Sequence, residues 1–546
     1  MRTHTVVVCL ILLSLVVACR APVAEERAPL VVAPVGLDGA LLVSDDAGPW
    51  WRDTTFYEVF VRSYRDSDGD GIGDLNGLIE RLDYLNDGDP ATSTDLGITG
   101  LWLMPIMASP SYHGYDVTDY YAVRPEYGTN EDFLRLMDEA HRRGIRVIVD
   151  LVLNHTSSHH PWFVEAQNPQ SDKRDWYLWS ATQPSGKGWH AGANGGYYYG
   201  QFWSEMPDLN YGNPAVTEAM NAVVRYWLTE MRVDGFRLDA IKFLYEDGAR
   251  IEHVPATHDW LKAFRSMYTR VAPHAYTVGE VVADADTSAR YVDGELDAVF
   301  DFALADATLK SAQGGARDDA LRAQQYALQA YPPGTLATFL ANHDQNRART
   351  RLLHDDQAKT AASLQLTFGG TPFIYYGEEI GMEGRKPDED IRRPMQWTPD
   401  GGFGTGTSWH PYYEDYATRN VALQAADPLS ILSHYRALLR VRNEHEALRV
   451  GEWQPIEAGP AAVYASLRWT EREHILVLIN LSSSPVSDYA LTLDSGPLTR
   501  RMQPALLLGE ATTLRAPRIS AAGGFKNYQP IESLPPRSTW ILQLQP

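Results

Sequence analysis

Eight short apolar runs, rich in β-branched and aromatic residues, recur between about residues 54 and 445, and amphipathic helical patterns separate them. This alternation predicts parallel strands joined by crossover helices. Eight such units predict an α/β fold, a closed (β/α)8 TIM barrel. The runs are FYEVFVRS (56–63), GITGLWLMP (97–105), IRVIVDLVLNH (145–155), VDGFRLDA (233–240), YTVGEV (276–281), LDAVFDF (296–302), LATFLANHD (336–344) and PFIYYGEE (372–379).

Two stretches depart from this pattern. Residues 156–212 lie between the third and fourth predicted strands, are too long for a simple loop and are rich in Trp and Tyr, which predicts a small inserted domain after strand 3. From about residue 448 only short β-type runs remain, which predict a C-terminal antiparallel β-sandwich over 448–546. The barrel is then expected in two parts, 50–155 and 213–447.

The first residues have the pattern of an export signal. Arg2 precedes an apolar run, Val6 to Ala18, that is shorter than the roughly 20 residues needed to span a bilayer. The sequence VVAC at 16–19 resembles the bacterial lipoprotein signal, in which cleavage leaves a lipid on Cys19; ordinary cleavage near Ala18 or Ala21 is the alternative. We expect residues 1–18 to be a signal peptide and 19–49 a tether, so that the exported protein contacts a membrane only through that lipid.

The charge balance limits the partners. The chain has 48 Lys and Arg against 70 Asp and Glu, a formal net charge of -22, and it shows no basic stripe. A polyanion such as nucleic acid would be repelled. We therefore expect a neutral substrate, no nucleic acid, and a monomer.

The run GFRLDAIKF, residues 235–243, carries an unusual charged pair. Side chains alternate across a strand, so Arg237 and Asp239 share one face while Phe236, Leu238 and Ala240 take the other. Such a pair either fixes strand register as a buried ion pair or serves a site. Glu280 and Asp344 follow other predicted strands, and the working face of a barrel lies at the carboxyl ends of its strands. Three carboxylates are therefore expected on one rim.

Two carboxyl groups that flank a glycosidic bond can cleave it, because one protonates the leaving oxygen while the other attacks or stabilises the anomeric carbon. Arg237 is expected to keep Asp239 ionised and nucleophilic. Glu280 follows the apolar YTVG, has no charge partner apparent in the sequence, and is expected to stay protonated as the acid.

The segments DLVLNHTS, GFRLDAIKF, VGEV and FLANHDQNR, together with MPDLN at 206–210, resemble in order and spacing the α-amylase family of retaining glycoside hydrolases. The resemblance covers roughly residues 50–546 and points to the branch between amylases and oligo-1,6-glucosidases or neopullulanases. It implies that Asp239 is the nucleophile, Glu280 the general acid/base and Asp344 a third carboxylate that binds sugar hydroxyls. Arg237, His155 and His343 would complete the subsite where the bond breaks.

The same resemblance implies further substrate contacts. Tyr115, in YHGYDVTDYY, would stack under the reacting sugar, although an aromatic in such a loop is more often packing, while His113 and Asp116 would line the rim. Lys242 would contact the product-side sugar. Arg392, in IRRPMQW, is expected to reach the site.

The loop DSDGDGIGD, residues 66–74, has the spacing of a calcium loop, with oxygen ligands at positions one, three and five, a glycine at six and an acid at nine. The alternative is an acidic, solvated turn. The family resemblance also implies Ca²⁺ here, bound by Asp66, Asp68, Asp70, the Ile72 carbonyl and Asp74. A second calcium ion near Asn154 and Asp208 is a further possibility that the resemblance leaves open.

The sequence thus predicts a retaining glycosidase, an α-amylase that acts on starch, maltodextrins or maltooligosaccharides. Asp116 and PMQW keep open an oligo-1,6-glucosidase, a cyclomaltodextrinase or a transglycosylase similar to trehalose synthase. A surface lipoprotein that binds glucan without cleaving it is the non-enzymatic alternative, and the three carboxylates argue against it.

Overall fold

A computed structural model describes residues 49–247, 250–499, 501–510 and 513–546 of the chain. Eight parallel strands form a closed barrel, and the first strand pairs with both the second and the eighth. The predicted fold class is therefore confirmed. The barrel strands are Phe56–Val59, Gly100–Leu103, Arg146–Val152, Gly235–Asp239, Tyr276–Gly279, Ala298–Phe300, Leu336–Thr338 and Thr371–Tyr375.

Helices surround the barrel because each strand needs a crossover that covers its outer face. The helix Pro214–Thr229 shows the sequence logic: Asn213 caps it by accepting from the backbone N–H of Ala215, and Pro214 occupies its first turn. The α-helices are Leu75–Glu80, Leu82–Leu85, Asn130–Arg142, Pro161–Ala166, Pro214–Thr229, Pro255–Val271, Ala285–Ala289, Phe302–Gly314, Asp318–Ala330, Ala348–Arg351, Asp355–Thr367, Asp388–Ile391, Val421–Ala425, Ile431–Glu444 and Glu446–Val450.

Aromatic rings fill the lower part of the barrel interior. Phe56 stacks on Phe373 with centroids 4.6 Å apart and on Tyr276 at 5.5 Å. Gly100 makes this packing possible, since a Cβ there would lie 2.5 Å from the Phe56 ring. Because inward-facing residues recur at every second position, the next inward residue after Phe56 is Glu58, one layer closer to the carboxyl ends. The aromatic layer thus forms the floor beneath a charged layer.

Four smaller sheets accompany the barrel in the described residues. Met107–Ala108 and Asp119–Val123 pair after the second strand, and Trp179–Ser180, Trp189–Ala191 and Tyr197–Tyr199 form an antiparallel sheet between the third and fourth. After the barrel, a five-stranded antiparallel sheet runs in the order Glu452–Pro455, Val463–Trp469, His474–Asn480, Ser538–Gln545 and Gln503–Leu508, beside the antiparallel pair Leu491–Leu493 and Phe525–Tyr528. The domain boundaries given above remain predictions.

Several expectations differ in detail. The seventh strand ends at Thr338, so His343 and Asp344 lie in the following loop and not on the strand itself. The first strand gives way to a 3-10 helix, Val61–Ser63. The signal peptide, Cys19 and most of the tether lie outside the described residues. Within the described part of the chain, no helix combines the length and the apolarity required to cross a membrane.

Candidate active site

A cavity of about 470 Å³ opens at the carboxyl ends of the barrel strands. Asp239 is the last residue of the fourth strand, Glu280 follows the fifth, and Asp344 belongs to the loop after the seventh; all three line this cavity. The prediction that three carboxylates gather on one rim therefore agrees with the geometry.

The guanidinium of Arg237 connects the carboxylates beneath the cavity. It is fully buried, and it donates from Nη1 to Asp239 Oδ1 at 2.7 Å and to both oxygens of Asp150 at 2.9 Å. From Nη2 it donates to Glu280 Oε2 at 2.7 Å. Strand register explains the contact with Asp150, because Asp150 and Arg237 are directly opposite in the third and fourth strands. A single side chain thus holds the predicted nucleophile and the predicted acid.

This geometry corrects the expected electrostatics. The expectation that Glu280 lacks a charge partner is wrong, since Arg237 binds it. Burial raises the pKa of Asp239, and the positive charge of Arg237 lowers it. Burial is the stronger effect, so the pKa of Asp239 lies at about 6 and not at its ordinary value. Burial also raises the pKa of Glu280, and the neighbouring carboxylates of Asp239 and Asp344 add to the effect. Both groups therefore titrate above their usual range.

A count of charges gives the physical reason. Six carboxylates face three cationic side chains in this network, so the cluster has more acids than its cations neutralise, and protonation of one acid relieves the excess. The carboxylates are those of Glu58, Asp150, Asp239, Glu280, Asp344 and Asp388, and the cationic side chains are those of Arg237, His343 and Arg392.

Asp344 differs from the other two predicted catalytic acids. Burial would raise the pKa of Asp344, but His343 and Arg392 outweigh it and hold that pKa far below the usual value. Arg392 donates from Nη2 to Asp344 Oδ1 at 2.8 Å and from Nε to the His343 carbonyl at 2.9 Å. The expectation that Arg392 reaches the site agrees with this contact, and Asp344 stays ionised.

The aromatic and histidine residues of the site lie as expected. Tyr115 lines the cavity, and its hydroxyl contacts His343 Nε2 at 2.6 Å and Asp150 Oδ2 at 3.1 Å. His113 and His155 line the same cavity. Burial lowers the pKa of His155 to about 4, so this ring is neutral and can act as a hydrogen-bond donor or acceptor toward a neutral ligand.

Two residues predicted to contact the substrate are bound to other protein groups. Asp116 is buried and does not line the cavity; one of its oxygens accepts from the hydroxyls of Ser109, at 2.6 Å, and Ser111. Lys242 does line the cavity, but its ammonium pairs with Glu252 at 2.7 Å and donates to the Val282 carbonyl at 3.1 Å. Direct contact of Asp116 or Lys242 with a ligand therefore stays a prediction.

Apolar side chains form one wall of the cavity. Phe202, from the inserted segment, packs against Phe243 and His155 with centroids 5.5 Å away in each case. Val282 and Met206 also line the cavity, and Phe202 is 48% exposed. A wall of this kind can hold the apolar C–H face of a sugar ring.

The acidic loop brings three of its four aspartates together. Asp66, Asp68 and Asp74 each offer a carboxylate oxygen within 4.8 Å of the others, and Asp70 is outside this group. Asp74 also caps the helix Leu75–Glu80 by accepting from Gly77 N at 2.7 Å. The donors are all oxygens, which suits a hard cation such as Ca²⁺. Of the predicted ligands, Asp66, Asp68 and Asp74 thus lie close together and Asp70 does not; calcium binding stays a prediction.

Asn154 and Asp208, the residues of the possible second calcium site, are both buried. Asp208 accepts from Gln201 N at 3.1 Å through one oxygen, while its other oxygen has no hydrogen-bond partner among the described residues. Burial and the nearby Glu246 raise the pKa of Asp208 well above its usual value. The carboxyl is therefore either protonated or paired with a cation.

Sequence reasoning assigned no role to Glu58, Asp150 or Asp388. Asp388 lines the cavity and accepts from Arg392 Nη2 at 3.3 Å. Glu58 and Asp150 could have been found by the signal that identified Arg237, since each is a charged residue at an inward-facing position of an otherwise apolar strand. For Asp388, at the start of a short four-residue helix, the sequence offers no comparable signal.

Comparison with known proteins agrees with this geometry. The family model "Alpha amylase, catalytic domain" matches residues 58–451. The chain is 43% identical over 444 residues to alpha-amylase 3 of Dictyoglomus thermophilum, with 80% of this chain and 86% of the relative covered. It is 35% identical over 514 residues to trehalose synthase/amylase TreS of Mycolicibacterium smegmatis, with 80% and 85% covered.

A solved structure gives the same result. The crystal structure of an α-amylase from H. orenii superposes with a TM-score of 0.79 at 40% identity, and the match covers 90% of this chain and 99% of that one. The family match spans the barrel strands that carry Arg237, Asp239 and Glu280 as well as the loop of Asp344. The chain therefore belongs to the α-amylase family and is a glycoside hydrolase of that family.

Proposed function

We propose that the protein is a retaining glycosidase that hydrolyses α-1,4-glucosidic bonds in starch, maltodextrins or maltooligosaccharides. The observation that carries the proposal is the bridge that Arg237 makes between Asp239 and Glu280 at the cavity wall. One planar guanidinium spans the gap between the two carboxyl groups. This arrangement fits the short separation, about 5–5.5 Å, at which the second carboxylate attacks directly, and not the wider one that admits a water.

The chemistry follows from the protonation states. Glu280, whose raised pKa lets it keep a proton, gives that proton to the glycosidic oxygen as Asp239 attacks the anomeric carbon. The bond to the leaving sugar breaks, and a covalent glycosyl-enzyme forms on Asp239. Ionised Glu280 then takes a proton from water, which displaces Asp239, and the product keeps the α-configuration. Ionised Asp344 is placed to accept hydrogen bonds from hydroxyls of the reacting ring.

Two observations favour α-1,4-glucans. The relative with the higher identity of the two compared is named an α-amylase, as is the superposed structure. The apolar wall of Phe202 and Phe243 also gives the cavity a surface for a second glucosyl ring. The similarity to a trehalose synthase/amylase supports a second candidate, transfer of the glucosyl group to a sugar in place of water.

We predict that Asp239→Asn and Glu280→Gln each lower kcat on maltooligosaccharides by about a thousandfold or more while the thermal unfolding midpoint stays near that of the unaltered enzyme. Glu280→Gln should lose far less on a glucoside whose leaving group needs no protonation, whereas Asp239→Asn should be inactive on both. In the unaltered enzyme kcat/KM should fall below pH about 6, where Asp239 gains a proton.

Asp388→Asn is the matched control, because Asp388 lines the same cavity but its hydrogen bond is with Arg392 and not with Arg237. It should alter KM more than kcat. Near-normal turnover by Asp239→Asn, or equal losses by Glu280→Gln on the two substrates, would contradict these roles.

The substrate preference is tested by the products formed from soluble starch, maltose and isomaltose. We predict maltooligosaccharides and glucose from starch and little cleavage of isomaltose. Thin-layer chromatography with reducing-sugar assays measures this. Faster cleavage of isomaltose than of maltotriose would favour an oligo-1,6-glucosidase, and trehalose formed from maltose would favour the transglycosylating alternative.

We also propose that Asp66, Asp68 and Asp74 hold Ca²⁺, with the Ile72 carbonyl as a further ligand. Three close carboxylates repel one another unless a cation lies among them. The loop also contacts the segment 403–409: Asp66 N donates to the Phe403 carbonyl at 2.9 Å, and Trp409 N donates to the Gly71 carbonyl at 2.8 Å. The ion would therefore stabilise two parts of the chain together.

We predict that EGTA lowers the thermal unfolding midpoint by about 5 °C and that added Ca²⁺ restores it. Asp68→Asn should abolish most of this response. Asp70→Asn should keep it, because Asp70 lies outside the cluster. Differential scanning calorimetry measures all three proteins. An unfolding midpoint of the unaltered protein that changes with neither EGTA nor Ca²⁺ would contradict the site.

Finally, we propose that the protein is exported and anchored to a membrane by a lipid on Cys19, facing the periplasm or the cell exterior, and that it acts as a monomer. The support is VVAC after the short apolar run. We predict that the mature chain begins with an acylated Cys19 and that Cys19→Ala releases the protein from membranes. Mass spectrometry of the N-terminal peptide checks this; an unmodified N-terminus at Cys19 or at another residue would contradict it.

A further inference from the structure

His343 lies between two carboxylates in the interior of the barrel. Its Nδ1 is 2.5 Å from Glu58 Oε1, and its Nε2 is 3.2 Å from Asp344 Oδ2 and 2.6 Å from the Tyr115 hydroxyl. Glu58 and His343 are both buried. Glu58 comes from the first strand, on the side of His343 away from the cavity, and the catalytic roles above do not use it.

The protons of this network can be assigned from its acceptors. The Tyr115 hydroxyl donates to Asp150 Oδ2 at 3.1 Å, and its oxygen can accept from His343 Nε2 at 2.6 Å. Asp344, which is held ionised, lies 3.2 Å from the same Nε2 and can only accept, so this nitrogen carries a proton. On the other side of the ring, Glu58 requires a proton on Nδ1. Both ring nitrogens must therefore be protonated.

We propose that Glu58 is a positioning residue of the active site, which holds His343 as a doubly protonated imidazolium and thereby fixes the Tyr115 hydroxyl and keeps Asp344 ionised. A chain of hydrogen bonds then runs from Glu58 through His343, Tyr115 and Asp150 to Arg237. Arg237 in turn binds the nucleophile. Glu58 thus acts on the reacting groups without touching them.

The surroundings of His343 support this assignment. Burial alone would lower the pKa of His343, but Asp344 and Glu58 outweigh it and raise that pKa to about 9. The His343 ring also packs against Trp102 in an edge-to-face arrangement, with centroids 5.6 Å apart. The titratable and charged groups near His343 and Glu58 are Tyr115, Asp150, Arg237, Asp239, Glu280, Asp344, Tyr375, Glu378 and Arg392.

Packing and hydrogen bonding at position 58 do not by themselves require a charged side chain. A glutamine there could accept from Nδ1 through its amide oxygen and fill the same volume, but it would carry no charge to stabilise the imidazolium. Glu58→Gln therefore separates the electrostatic role from a purely structural one. Glu379→Gln is the matched control, since Glu379 is equally buried and accepts from the hydroxyls of Tyr57 and Tyr84 at 2.8 and 2.7 Å, away from the cavity.

The direct test is nitrogen-15 NMR of protein labelled at histidine, with the His343 resonances assigned from their loss in His343→Asn. We expect both ring nitrogens of His343 to be protonated at pH 7.5 in the unaltered protein and one to be deprotonated in Glu58→Gln. A neutral His343 in the unaltered protein overturns the proposal. This measurement needs no substrate, so it is independent of the proposed glycosidase activity, and the result in the unaltered protein holds whether or not Glu58→Gln folds.

The kinetic test compares the two variants. Glu58→Gln should lower kcat about 10-fold to 100-fold, and the alkaline limb of its pH profile should move to lower pH, because losing a neighbouring negative charge makes the imidazolium lose its proton more easily. Glu379→Gln should keep both kcat and the pH profile. An unchanged pH profile in Glu58→Gln, or the same loss in both variants, overturns the proposal.

Discussion

The active site depends on one buried guanidinium. Arg237 binds Asp150, Asp239 and Glu280 at the same time, and its own exposure is 0%. Removing the arginine from such a buried cluster would cost about 3–5 kcal/mol, because its carboxylates are then left without compensation. The carboxylates therefore hold the arginine in place as much as the arginine holds them. The buried guanidinium of Arg237 therefore sets the distance between the carboxyl groups of Asp239 and Glu280.

The barrel supplies the setting for that centre. Inward-facing positions at every second residue give two layers: an aromatic floor that includes Phe56, Tyr276 and Phe373, and above it a charged layer with Glu58, Asp150 and Arg237. The floor keeps water out from below, so the charges interact in a medium of low dielectric. This is why burial raises the pKa values of Asp239 and Glu280. The strongly paired Asp344 and His343 respond to each other's charge instead: the pKa of Asp344 falls and that of His343 rises.

Alternation along a strand allowed the sequence to place Arg237 and Asp239 on one face, and the bond between them agrees. The contact of Arg237 with Glu280 was missed because it depends on the register between the fourth and fifth strands. In that register Val278 is the partner of Arg237, and Glu280 lies two residues further along. Lys242 shows another limit: its ion pair with Glu252 depends on the path of a loop that no periodicity predicts. In the acidic loop, spacing identified the aspartates, but only the turn geometry separates Asp70 from the other three.

The central claim is that Asp239, held by Arg237, forms the covalent bond to the sugar. The most direct measurement is mass spectrometry of peptides from enzyme treated with a glucosyl fluoride that carries a second fluorine at C5, since that fluorine slows release of the trapped sugar. The account predicts one added glycosyl group, located on Asp239. A label on Glu280 or Asp344, or complete turnover of the reagent with β-configured product and no label on any residue, would contradict it.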